Sequence, residues 1–276
     1  MKVTIVGLGL LGGSFALSLR EVEPSVEVTA VDLPEVLDRP AARRAAHVLI
    51  PVTDEARLSE AARGADLTLL AAPVRRIVTL LPRVLESARL VTDCGSTKRA
   101  IADAAAGSPR RGRFVLGHPM AGAPEGGIEH AQAGLFRGRR WLICPEGSDA
   151  DALAEVETLV RRLGAEPFRI EAAAHDRAVA LTSHATQLVA SALAAVALET
   201  EAQVTAGPAF DGATRVAGGP EEMWGDILST NARDVADALA ALGRELETAR
   251  AGLAQPVPDT RAALALLARA RRLRRK

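Results

Sequence analysis

Two short segments carry residue types able to do acid–base chemistry: Asp93-Cys94-Gly95-Ser96-Thr97-Lys98 and Gly117-His118-Pro119-Met120-Ala121-Gly122. A neutral imidazole is the side chain best matched to taking a proton from a hydroxyl near neutral pH. A hydroxyl such as that of Ser96 can fix the ring's orientation or tautomer. Each segment follows a short apolar run, Leu90-Val91-Thr92 and Phe114-Val115-Leu116, so Ser96 and His118 are expected just beyond strand ends. His118 could merely terminate its strand, but a Gly-His-Pro setting in a ligand-facing loop favours chemistry.

The elements that must hold these residues begin at the N-terminus. Val3-Thr4-Ile5-Val6 suits a buried parallel strand. Gly7-Leu8-Gly9-Leu10-Leu11-Gly12 follows as a G-x-G-x-x-G, and Ser14 to Leu19 fit a helix. In a Rossmann unit the first glycine permits the tight turn and the second lets the backbone approach a pyrophosphate. The third allows close helix–strand packing, and the helix N-terminus, here with Leu10 and Leu11, faces the phosphates. Val26 to Val31 reads as a second strand ending at Asp32, twenty positions after Gly12. An acid there bonds the adenosine ribose hydroxyls and repels the extra phosphate of NADP, so NAD is the expected cofactor. Pro73 and Ser96, each after a strand, complete the predicted cofactor contacts. A signal peptide fits the same stretch poorly: it contains Gly7, Gly9, Gly12 and Gly13, and Glu21 and Glu23 follow where an A-x-A site is needed.

Composition narrows the function classes. The chain has 276 residues, enough for one large or two modest domains. Lys+Arg and Asp+Glu balance at 34 each and aromatics make up 3%, which argues against a nucleic-acid surface. Hydrophobic content is 48%, with no uninterrupted membrane span expected. Cys94 and Cys144 make no disulfide framework and fit a reducing, cytoplasmic setting. Five histidines and two cysteines show no metal-ligand spacing, so no metal is expected. The absence of a G-x-S-x-G elbow argues against a serine hydrolase.

Strand-like and helix-like stretches alternate up to about residue 171. Leu67 to Ala72 reads as a strand ending at Pro73, and Val74 to Glu86 as a helix interrupted by Pro82. Trp141 to Cys144, a helix from about Ala150 to Leu163, and Pro167 to Ile170 complete the set. This predicts an α/β, doubly wound, mainly parallel sheet. From His175 to about Ala202 a segment without glycine or proline reads as one long helix buried between others. A Gly/Pro-rich break spans Gly207 to Pro220 and helical stretches follow. The expected division is a dinucleotide-binding domain over 1–172 and an all-helical substrate and dimerisation domain over 173–276. The basic run Arg269 to Lys276 reads as a solvated helix end.

Together, Gly7 to Ser14, Asp93-x-Gly-Ser-x-Lys98, Gly117-His-Pro-Met-Ala-Gly122 and Ser183-His184 resemble the prephenate/arogenate (cyclohexadienyl) dehydrogenase family. Thr214-Arg215, Pro220-x-x-Met223-Trp224-x-Asp226-Ile227 and Asn231 extend the match, which runs from residue 3 to about 245. The resemblance implies oxidative decarboxylation of prephenate to 4-hydroxyphenylpyruvate with NAD as hydride acceptor, a step of tyrosine biosynthesis, in a homodimer. It implies that His118 polarises or deprotonates the C4 hydroxyl of a cyclohexadienol and that Ser96 supports it near the cofactor. It implies that Arg215 binds a substrate carboxylate, a role its two-pronged geometry suits. It places Ser183, His184 and Gln187 on the substrate side. Taken alone, Arg215 reads as a surface cation, His184 as a core histidine, Trp224 as core or pocket wall, and Lys98 as a first-turn helix residue.

Two departures bear on the substrate. Thr186 and Gln187 stand where many relatives carry Pro-His, and Ala123-Pro124-Glu125 stands where many carry Thr and Glu after Ala-Gly. The tail preference therefore stays open among prephenate, arogenate and 4-amino-4-deoxyprephenate. Neither an appended chorismate mutase nor a built-in tyrosine-sensing domain is expected. Other Rossmann-plus-helix dehydrogenases often rely on a lysine in the helical domain, and a non-catalytic NAD sensor needs no general base. The Ser96–His118 pairing argues against the former, and the sensor stays open as an alternative that replacement of His118 separates.

Overall fold

The computed structural model describes residues 1–123 and 125–275; Pro124, in the Ala123-Pro124-Glu125 departure, and Lys276 lie outside the described residues. In chain order the first half contains β1 (Lys2–Val6), α1 (Leu10–Val22), β2 (Glu27–Asp32), α2 (Pro34–Leu37), α3 (Pro40–Ala45), β3 (Val48–Pro51), α4 (Glu55–Gly64), β4 (Leu67–Leu70), α5 (Val74–Ser87), β5 (Val91–Asp93) and α6 (Arg99–Ala106). There follow β6 (Phe114–Pro119), β7 (Arg140–Cys144), α7 (Ala150–Arg162), β8 (Glu166–Arg169) and α8 (Ala172–Val179). A π-helical turn (Ala180–His184) leads into α9 (Ala185–Leu198), then α10 (Pro208–Thr214), α11 (Glu221–Thr230), α12 (Ala232–Leu253) and α13 (Arg261–Leu273).

Among the described residues the strands form one sheet in the order β3-β2-β1-β4-β5-β6-β7-β8. The order runs outward in both directions from the β1–β4 pair, which is the switch point of a doubly wound sheet. Strands β1 to β6 are parallel, with Val3 opposite Val28 and Leu67, and Val91 opposite Phe114. β7 runs antiparallel to β6, with Leu116 opposite Cys144 and His118 opposite Leu142. The mainly parallel doubly wound sheet expected from the alternation is present. Val3, Ile5, Leu67, Leu69 and Val115 pack in one apolar cluster, and Val6, Val31, Leu70, Val91 and Leu116 pack in a second. Burial on both faces explains why these strands read as continuous apolar runs.

Several local expectations are corrected. α5 continues through Pro82 to Ser87. A proline inside a helix costs about 3 kcal/mol, but Val74, Ile77, Leu81, Val84 and Leu85 bury one stripe of this helix and outweigh it. The edge strand β3 and the short helices α2 and α3 had no clear periodic signal. The Gly/Pro-rich break contains α10, which starts on Pro208 at its first turn. β6 runs to Pro119, so His118 is in the last turn of strand pairing rather than beyond it.

The chain divides into two compact units. The first comprises Met1–Asp176 with Pro220–Thr230, and the second Arg177–Gly219 with Asn231–Lys276. Within the first unit α11 lies with the sheet: the Asp226 carboxylate accepts from the Arg75 amide at the start of α5 (3.1 Å), and the Thr97 and Thr230 hydroxyls bond at 2.9 Å. The second unit is all-helical. The long helix expected from His175 onward is one continuous segment, Ala172–Leu198, but this chain alone does not bury it: Val189, Leu193, Val196 and Leu198 are exposed. The most apolar 18-residue window of this segment has a mean hydropathy of 1.4, long and apolar enough by length and composition alone to cross a membrane, a test that the core helix of a soluble protein also passes.

Candidate active site

The nucleotide cradle is built at the switch point. Gly7 follows β1 with φ +98°, a left-handed conformation that favours glycine, and its amide donates to Val31 O at 2.9 Å. A Cβ there would lie 2.5 Å from the Ala71 backbone, and a Cβ on Gly12 would lie 1.9 Å from the Gly7 carbonyl. These two glycines let turn, helix and strand approach one another. Gly9 differs: a Cβ there would meet nothing within 4 Å among the described residues. It opens α1, whose first turn is capped by no side chain and begins with Leu10 and Leu11. The cradle thus presents helix amides beside open space, the arrangement a pyrophosphate requires. Asp32, half-buried at the end of β2, accepts from the Leu8 amide and, at 2.7 Å, from the Leu33 amide. Its carboxylate is thereby tied to the glycine turn. Pro73 is exposed at the head of α5, on the opposite side of the switch point.

Two strands farther along, a buried ion pair fixes the carboxyl ends of β5 and β6. Asp93 and Lys98 are fully buried. Lys98 Nζ donates to Asp93 Oδ2 and to the Gly117 carbonyl at 2.6 Å. Asp93 also accepts from the Gly95 amide (2.8 Å) and the Gly117 amide (3.0 Å). One carboxylate and one ammonium therefore clamp the loop holding Ser96 to the strand holding His118. Lys98 is a structural cation of this clamp, more than the first-turn helix residue its sequence position indicates. Ser96 is half-buried in that loop.

His118 is held by a pair that sequence reasoning missed. Its Nδ1 lies 2.8 Å from His175 Nε2, and His175 Nδ1 lies 2.8 Å from Asp176 Oδ1. His175 and Asp176 are fully buried. Asp176 accepts from the Lys98 amide (2.7 Å), the Arg99 amide (3.0 Å) and Arg99 Nε (3.2 Å). Burial pushes the His175 imidazole below its usual value, against the opposing pull of Asp176. Burial by itself raises the Asp176 carboxyl, but the bonds from His175 and the two amides outweigh it and hold that group below the carboxylate range. The signal available in the sequence was a consecutive His-Asp at the start of an otherwise apolar helix.

In the second unit, Ser183 and His184 lie in the π-helical turn, a feature frequent at functional sites. His184 is buried and its Nδ1 is 3.3 Å from Asn231 Nδ2. Gln187, three residues on, is also buried, whereas Ser183 is half-buried. Arg215 is exposed at the end of α10. Trp224 on α11 is half-buried. Among the described residues no His, Cys, Asp and Glu group could hold a metal ion. Burial pushes the Cys144 thiol up to about 12 and the Cys94 thiol higher still, so neither is a thiolate nucleophile near neutral pH.

A doubly wound sheet with a glycine cradle, an acid ending β2 and an anchored histidine at the carboxyl edge of β6 defines a Rossmann-type nucleotide-binding protein with a candidate general base. Residues 15–168 match the nucleotide-binding domain of prephenate dehydrogenase, and residues 171–263 match the dimerization domain of the same enzyme. The chain belongs to the prephenate dehydrogenase family. It is 29% identical to prephenate dehydrogenase of Bacillus subtilis strain 168, covering 91% of this chain and 70% of that one. It is 30% identical to cyclohexadienyl dehydrogenase of Zymomonas mobilis, covering 93% and 90%. A crystal structure of the A. aeolicus prephenate dehydrogenase, described as a complex with hydroxyphenyl propionate and NAD+, shares the fold at TM-score 0.86 and 24% identity, over 100% of this chain and 98% of that one.

Proposed function

We propose that this chain catalyses NAD-dependent oxidative decarboxylation of prephenate to 4-hydroxyphenylpyruvate, a step toward tyrosine, with His118 as the general base. The observation that carries the reading is the placement of His118: it stands at the carboxyl edge of a dinucleotide-binding sheet with its Nδ1 anchored at 2.8 Å, so its Nε2 is turned to the far side of the ring from His175.

The cradle fits NAD. The open face at Gly9 and the amides at the start of α1 would receive the pyrophosphate, and Asp32 would bond the adenosine ribose hydroxyls and disfavour a 2′-phosphate. When bound, NAD+ supplies the hydride acceptor. His118 Nε2 takes the proton of the substrate's C4 hydroxyl as the C4 hydrogen departs with its electron pair. The ring carboxylate leaves as carbon dioxide, its bonding pair entering the ring and restoring charge to the C4 oxygen, which regains the proton as a phenol; aromatisation drives the reaction forward. Ser96, in the loop clamped to β6 through Asp93 and Lys98, is assigned a place beside the cofactor. Arg215 takes a substrate carboxylate, and Ser183, His184 and Gln187 contact the substrate tail.

The exposed apolar residues Val189, Leu193 and Val196 on α9 are read as part of the surface that a second copy covers in a homodimer. The reading is tested by following NAD+ reduction with prephenate, arogenate and 4-amino-4-deoxyprephenate in turn, with NADP+ as the parallel acceptor. Turnover with prephenate and NAD+ above all others supports it. Turnover confined to another tail or ring substituent reassigns the substrate, and NAD+ binding without any turnover replaces the enzyme by a sensor.

A further inference from the structure

We propose that His175 and Asp176 are positioning residues which hold His118 in a single tautomer, with the proton on Nδ1 and the lone pair on Nε2, and which take up the charge His118 gains. The inference rests on the reading of His118 as the base and adds to it residues that no family motif quoted above contains.

The argument starts at the buried end. Three donors converge on Asp176: the Lys98 amide, the Arg99 amide and Arg99 Nε, at 2.7, 3.0 and 3.2 Å. A carboxylate receiving such bonds is an acceptor only. His175 Nδ1, 2.8 Å from Asp176 Oδ1, must therefore be the donor of that bond. In a neutral imidazole one nitrogen donates and the other accepts, so His175 Nε2 is an acceptor. It faces His118 Nδ1 at 2.8 Å, and a bond between two ring nitrogens needs one proton. His118 Nδ1 must supply it, which leaves the basic lone pair on Nε2. No other proton arrangement satisfies both bonds with His175 neutral and Asp176 ionised.

The same line works during turnover. When His118 Nε2 accepts the substrate proton, the ring becomes a cation bonded through Nδ1–H to His175. That proton can move to His175 Nε2, which makes His118 neutral again and places the charge on an imidazolium already bonded to the Asp176 carboxylate. The proton count is unchanged: one enters at Nε2 and one crosses a single hydrogen bond. Asp93, Lys98, Arg99 and Asp176 are the charged groups that act on this pair from β5, from the start of α6 and from α8. The carboxylate of Asp176 is held by backbone amides of the segment that Asp93 and Lys98 clamp, so the relay and the Ser96 loop share one support.

Three variants separate this role from simple packing. In His175→Gln the amide can span the same two partners, accepting from His118 Nδ1 and donating to Asp176, but it cannot carry a proton. His175→Phe keeps ring volume and removes both bonds. Asp176→Asn keeps shape and removes the charge. Histidine-selective 15N labelling of the wild-type protein, read by long-range proton–nitrogen correlations, should show His118 protonated on Nδ1. The tautomer should persist in His175→Gln and be lost in His175→Phe. Turnover should fall in the order wild type, His175→Gln, His175→Phe, the last by about 10²–10⁴-fold, the scale of a mis-set base tautomer. The Kd for NAD+ should stay within about twofold, because neither residue is assigned a contact with the cofactor. The acid limb of the kcat profile should move to lower pH in Asp176→Asn. A wild-type His118 protonated on Nε2 overturns the proposal. So does an Asp176→Asn enzyme whose kcat falls with the limb unmoved. Where His175→Phe fails to fold, the wild-type spectrum and His175→Gln decide. Retention of turnover by His118→Ala refutes the base assignment itself, a separate outcome from either.

Discussion

Two glycines of the cradle should respond in opposite ways to the same one-carbon addition. In Gly12→Ala the new Cβ would start 1.9 Å from the Gly7 carbonyl oxygen and 3.1 Å from the Gly7 carbonyl carbon and Ile5 Cγ2. Reaching an ordinary contact at 3.4 Å requires the turn and α1 to separate by about 1.5 Å, against backbone rather than a flexible side chain. Overpacking of this kind costs about 1–3 kcal/mol, and the upper end is expected here. In Gly9→Ala the Cβ meets no atom of the described residues within 4 Å, and the residue's φ of −80° suits alanine. The entropy gain of about 0.4–1 kcal/mol and the weaker helix-capping preference of alanine offset each other, so stability should change by less than about 0.5 kcal/mol. The new methyl group nonetheless occupies the space assigned to the pyrophosphate. NAD+ affinity should weaken about 10- to 100-fold, or roughly 1.4–2.8 kcal/mol. Thermal unfolding of the unliganded protein and calorimetric titration with NAD+ separate the two quantities. A Gly9→Ala protein that binds NAD+ like the wild type refutes the cradle assignment, and a Gly12→Ala protein of unchanged stability refutes the packing argument.

Three further outcomes follow from the site. Asp32→Ser should weaken NAD+ binding and narrow the preference over NADP+, measured as the ratio of the two Kd values, since the ribose acceptor and the repulsive charge leave together. Lys98→Met leaves the fully buried Asp93 without its cation. The loss should be about 3 kcal/mol, near the low end for a broken buried pair because two amides still bond the carboxylate; it should appear as a Tm lowered by roughly 6–12 °C, and Asp93→Asn/Lys98→Met should recover part of it. Because the His175 value is depressed in the folded state, the unfolded chain binds the extra proton first. Its contribution is fully present above the ordinary value of 6.5 and is lost as pH falls below it. The stability difference between wild type and His175→Gln, followed by denaturant titration, should therefore shrink from pH 7.5 toward pH 5; a constant difference contradicts the assignment.

Much of this architecture is legible in the sequence because its signals are local. Strands β1, β2, β4 and β6 are short apolar runs buried on both faces, and Gly7, Gly9, Gly12 and Asp32 lie within 26 consecutive residues. What escaped is decided at a distance. β3 is a four-residue edge strand recognisable only by its pairing with Thr29 to Asp32. α5 survives Pro82 because of an apolar stripe whose partner is the sheet. The partnership of His118 with His175 spans 57 residues, and neither local periodicity nor any short motif connects them. The return of α11 to the first unit depends on Asp226 meeting the Arg75 amide, a contact across 151 residues. Apolar character alone also misreads α9, since an apolar helix surface can await a partner chain as readily as a core.

The most direct test of the central claim is the turnover of His118→Ala against wild type with NAD+ and prephenate, alongside the NAD+ Kd of both. The account predicts a fall of about 10²–10⁴-fold in kcat with Kd unchanged within about twofold. Wild-type-like turnover in His118→Ala contradicts it.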